Sequence, residues 1–178
     1  MKRIPFIIIG LYPYAIFLAV ISIFISPIIE KFLNEDLGMA LGLFLMPVVL
    51  MTVLLSTLAI AAATVYHVVT TCKCAPSAAS TAGAAMKLKL IHIPAYIANS
   101  LLAFLCLSTV FTLPFSLFLF VFNLVTVFST GTVHLTSMIA ADREGKQSTV
   151  RTVLFSILGY IFVVDVITSV ITARRLNK

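Results

Sequence analysis

Apolar runs long enough to cross a bilayer follow one another along the chain, and within them the polar residues recur at helical spacing. The pattern predicts helices over about 4–32, 41–71, 90–111, 114–141 and 149–173. The stretch 114–141 is the clearest. Its polar residues Asn123, Thr126, Thr130, His134 and Ser137 fall within an arc of about 80° at 100° per residue. In lipid, such a stripe must face protein or a water-filled cavity. The second run repeats the design with Thr52, Ser56, His67 and Thr70, and the third with His92, Tyr96, Asn99 and Cys106. In the first run Ala15, Ala19, Ser22 and Ser26 form a strip of small residues on which a neighbouring helix can pack closely.

The breaks have their own chemistry. Asn34, Glu35 and Asp36 make an acidic turn, and Pro114 forces a tight hairpin after Thr112 and Leu113. Gly145 terminates the fourth helix and Ser148 is placed to cap the fifth. Residues 75–85 are all Ala, Pro, Ser, Thr or Gly, so a flexible linker is expected over about 73–86. The sequence thus predicts an all-α, polytopic membrane helical bundle of about five transmembrane helices, one integral membrane domain over 1–178. Pro47 with His67 and Pro114 with His134 share an offset of 67, which suggests two parallel hairpins plus one extra helix.

Composition agrees with that reading: 61% of the 178 residues are hydrophobic and 10% charged, against about 25% charged in a soluble domain. The net charge of +6 does not point to nucleic acid, because the basic residues sit at the ends of apolar runs with no aromatic residues interleaved. They read as topology signals and headgroup contacts. Five crossings put Lys2, Arg3, Lys73, Lys87, Lys89, Arg143, Lys146 and Arg151 on one side and Lys31, Arg174, Arg175 and Lys178 on the other. That balance predicts a cell-membrane protein with a cytoplasmic amino terminus, and leaves a basic carboxyl terminus on the outside.

Three candidate chemistries follow. His67, His92 and His134 fall at similar depths, so a transition metal or haem held by the three is one expectation. Neutral imidazoles bridging helices are the plainer one. Asp165, inside the fifth run, must be protonated, hydrated or paired. No H-E-x-x-H, G-x-S-x-G, C-x-x-C or phosphate-binding loop is present, which argues against an enzyme.

The leading functional expectation is a protein that transports, conducts or binds a small solute or ion through a polar cavity lined by Asn99, Asn123, Thr130, His134, His67, His92 and Asp165. Alternatives are an accessory subunit that docks on a membrane-protein partner or forms a homo-oligomer, and a membrane-embedded metal or haem enzyme.

Overall fold

The computed structural model describes residues 4–31, 35–74, 76–108, 112–161 and 164–176. They form six helices: α1 (Ile4–Glu30), α2 (Glu35–Cys74), α3 (Ala78–Cys106), α4 (Leu113–Arg143), α5 (Thr149–Leu158) and α6 (Val164–Leu176). Of these, α1 to α4 contain the four stretches long and apolar enough to cross a membrane. The chain is a small polytopic membrane protein with four candidate spans.

The four long helices run antiparallel in chain order. Phe6 of α1 packs edge-on against His67 of α2, ring centroids 4.9 Å apart, while further along Tyr12 meets Thr57. Likewise the start of α3 lies by the end of α4, where the Ala78 amide donates to Glu144 Oε1 at 2.7 Å, and Asn99 reaches Asn123 higher up. Tyr12, Ile16, Ile60, Leu119 and Phe122 fill the centre. Leu50, Leu54, Leu58, Leu101, Phe104, Leu117 and Phe120 point outward, an apolar exterior suited to lipid.

Two expectations change here. The stretch read as a flexible linker is ordered and helical from Ala78. Ser77 caps α3, its hydroxyl accepting from the Ser80 amide, and Ala78, Ala82 and Ala85 are buried. Small side chains that give no hydropathy signal let α3 approach α4 and α6 closely. The acidic turn partly falls on Asn34, outside the described residues, while Glu35 and Asp36 open α2.

The second correction concerns the fifth run, which is not one crossing helix. It is broken into α5 and α6, of 10 and 13 residues, each too short for a bilayer. The end of α4 is a Schellman turn: Gly145 takes φ 66° and the Lys146 amide bonds the Ala141 carbonyl at 2.9 Å. From there α5 runs along α4 to Gly159. Tyr160 seats against Gly131, where even a Cβ would fall 2.7 Å from the ring, and against Phe128 at 5.4 Å between centroids. The chain then turns, and α6 returns to the side from which α5 began. Gln147 and Arg151 share a groove with Arg175 and Leu176, and Ala173 and Leu176 pack with Ala78, Ala82, Ala140 and Ala141. The helical hairpin therefore ends beside its own start. Arg174 and Arg175 lie with Lys73, Lys87, Arg143, Lys146 and Arg151, not with Lys31. Lys2, Arg3 and Lys178 lie outside the described residues.

Candidate functional site

At the tip of the α5–α6 hairpin, a charged pair is sealed inside the helical bundle. The Lys89 ammonium of α3 forms an ion pair with the Asp165 carboxylate in the first turn of α6, and also reaches the Asp165 carbonyl at 3.4 Å. Lys89 is 0% and Asp165 1% exposed, so neither charge has water as an alternative partner. The carboxylate stands at the positive end of the α6 dipole, a second favourable interaction.

The helix period places the rest. Lys89, His92, Tyr96 and Asn99 occupy positions i, i+3, i+7 and i+10 of α3 and are all buried. The facing stripe of α4, Asn123, Thr126, Thr130, His134 and Ser137, is buried throughout. Asn99 Nδ2 donates to Asn123 Oδ1 at 3.4 Å, and the Tyr96 hydroxyl meets Thr130. From α6, Ser169 approaches His134 Nδ1 at 3.3 Å while donating its own proton to the Asp165 carbonyl at 2.9 Å. With that proton committed, the His134 contact requires Nδ1–H as donor. Lys89 is within electrostatic reach of both His92 and His134.

His92 also ties α1 to the site. Its Nε2 lies 3.0 Å from the Ile9 carbonyl. In a regular helix that carbonyl accepts from residue 13, which here is Pro13 and has no N–H. His92 replaces the missing donor.

The sequence placed seven residues in the site, and the structure strings six of them along one seam: Asn99, Asn123, Thr130, His134, His92 and Asp165. His67 stands apart between α2 and α4, where its Nε2 meets Thr136 Oγ1 at 3.2 Å; because that hydroxyl donates to the Val133 carbonyl, His67 is the donor. The structure does not bring His67, His92 and His134 together. Each ring is committed to a different helix, and among the described residues no three His, Cys, Asp or Glu side chains form a group that could hold a metal ion. The α3 and α4 stripes pack on one another; of the α2 stripe only His67 is buried, whereas Thr52 is exposed and its hydroxyl donates to the Val48 carbonyl of its own helix.

Sequence reasoning missed Lys89, read as a marker of the membrane interface. The signal was present: Lys89 lies three residues before His92 and seven before Tyr96, on their face. Ser169 had no such signal, because its role depends on where α6 docks. Comparison of the chain with protein-family models, curated proteins and solved structures gave no match.

Proposed function

We propose that this protein binds and translocates a small solute or ion, with the α5–α6 hairpin as its moving part and the Lys89–Asp165 pair as the contact that holds the hairpin closed. The observation that carries the reading is the pair itself, buried at membrane depth between the hairpin and α3. Replacing a buried ion pair by apolar residues of similar size is often neutral or stabilising, so stability alone is a weak reason for keeping one. Ionisable groups inside membrane segments characteristically face the bundle interior and mark ion and solute pathways. Short helices ending at membrane depth are a recurrent way of building such sites.

The basic residues support an orientation. Among the described residues, seven exposed cations, Lys73, Lys87, Arg143, Lys146, Arg151, Arg174 and Arg175, gather toward one end, against Lys31 at the other. With the hairpin turned back, the positive-inside tendency places the amino-terminal end of α1, the 144–148 turn and the end of α6 together in the cytoplasm. The basic carboxyl terminus no longer opposes that assignment.

Reconstitution into sealed vesicles tests the function. Solute and ion fluxes through wild-type protein are compared with those of Lys89→Met/Asp165→Leu, a double variant expected to fold. Flux that drops to the level of empty vesicles in the double variant is the expected result. Wild-type flux in the double variant, or no flux above empty vesicles for wild type across inorganic ions and small organic solutes, overturns the proposal.

A further inference from the structure

On the outer surface of the bundle, away from the buried pair, a groove of about 880 Å³ runs between α1 and α3. Gly10, Leu11 and Tyr14 form one wall and Ser80, Gly83 and Lys87 the other. Its floor is deep because Gly83 has no side chain: a Cβ there would meet nothing within 4 Å. The inner end is fixed by Tyr14, whose hydroxyl donates to the Ile91 carbonyl.

Lys87 is the anomaly. It sits nine residues after Ala78, about 13 Å along the α3 axis, exposed on a lipid-facing wall. The ion pairs among the described residues are Lys89–Asp165 and Lys146–Glu144, and neither involves it. A lysine on such a wall extends its stem along apolar surface and carries its ammonium toward the headgroup layer.

We infer that this groove is a binding site for an anionic phospholipid, with the headgroup phosphate on the Lys87 ammonium at the Gly83 end and one acyl chain running inward past Leu11 and Leu88 toward Tyr14 and Ile91. Charge complementarity selects this occupant. Lys87 is the one charged residue lining the groove and the rest of the lining is uncharged, so an anionic group carrying an apolar tail complements it. The inference is independent of the translocation reading, since neither Lys87 nor Gly83 touches the buried pair.

The full chain, purified in mild detergent and stripped of lipid, is titrated with phosphatidylglycerol or phosphatidylcholine, and bound lipid is counted by native mass spectrometry. Phosphatidylglycerol is expected to bind about fivefold more tightly, the preference one cation near an anionic headgroup supplies. Lys87→Gln should remove that preference, Gly83→Leu should remove binding of both lipids, and Lys73→Gln should change neither. Equal affinities in wild type, a preference that survives Lys87→Gln, or an equal loss in Lys73→Gln each overturn the assignment. So does a membrane protein that co-purifies on this groove and is not displaced by phosphatidylglycerol. Because Lys87 is exposed, Lys87→Gln keeps the test decisive even if Gly83→Leu fails to fold.

Discussion

His92 repairs the gap that Pro13 leaves in α1: its Nε2 donates to the Ile9 carbonyl, the acceptor that a residue-13 N–H would otherwise serve. The two positions are 79 apart in sequence, yet each accounts for the other. His92→Leu should therefore destabilise the protein by about 1–3 kcal/mol, the cost of an unpaired buried carbonyl. Pro13→Ala restores the local donor, so the double variant should lose less than the sum of the single losses. Unfolding in a detergent–denaturant titration gives all four corners of this cycle, and strict additivity would show the contact to be incidental.

The Lys89–Asp165 pair predicts an asymmetry. Asp165→Leu alone leaves a buried ammonium unpaired and should cost about 3–5 kcal/mol, whereas Lys89→Met/Asp165→Leu should be neutral or more stable than wild type. The same titration reads both. A double variant as damaged as the single would mean that the charges themselves hold the fold.

The return of α6 is a statement about sides. Single cysteines replacing Lys146 and Arg175, in a background with Cys72, Cys74 and Cys106 changed to Ser, should react with an impermeant thiol reagent from the same face of sealed vesicles. A cysteine at Lys31 should react from the opposite face. Labelling of the Arg175 position together with Lys31 would make the fifth run a crossing helix.

Tyr160 reaches its place only because Gly131 and Gly159 lack side chains. A Cβ at Gly131 would lie 2.9 Å from the Gly159 carbonyl oxygen, a backbone atom that cannot move aside cheaply, and a Cβ at Gly159 would lie 2.7 Å from His134 Cδ2. Gly131→Ala should destabilise by about 1–3 kcal/mol, as overpacking does. It should also raise hydrogen exchange selectively in α5 and α6; uniform exchange across the chain would argue against a hairpin that docks as a unit.

Outside the membrane segments, Glu144 links the ends of α3 and α4. Its hydrogen bond with the Lys146 ammonium, and then that from the Ala78 amide, hold the carboxyl below the usual carboxylate range. A carboxyl whose folded value is depressed stabilises the fold above its unfolded value and loses that contribution as pH falls through the folded one. Wild type should thus exceed Glu144→Gln in stability at neutral pH, and the difference should shrink on acidification below the carboxylate range. A difference independent of pH would assign the effect to packing.

Much of the architecture follows from local rules. The four long helices and the inward faces of α3 and α4 were readable because burial in lipid leaves backbone groups no partners but the helix, and polar side chains no partners but protein. The α2 stripe was not, since Thr52 is exposed and bonds its own helix. Asn99, His92, Thr130 and His134 could be put on inner faces from spacing alone. Two readings failed for a shared reason, that hydropathy reports transfer into an apolar medium and not what the segment packs against. Residues 78–85 look like linker by that measure, yet small side chains are what a tight helix contact requires. Lys89 looks like an interface residue until Asp165 is placed beside it.

By itself, the sequence determines an all-α membrane protein, the long helices, the polar faces of α3 and α4 and the stop at Gly145, since each depends on residues within a few turns of one another. Only the tertiary structure decides the direction of the fifth run and the pairing of its carboxylate. An apolar segment of a given length has the same composition whether it crosses or turns back. The choice is made by contacts far away in sequence: Tyr160 against Gly131, Ser169 with His134, and Asp165 with Lys89.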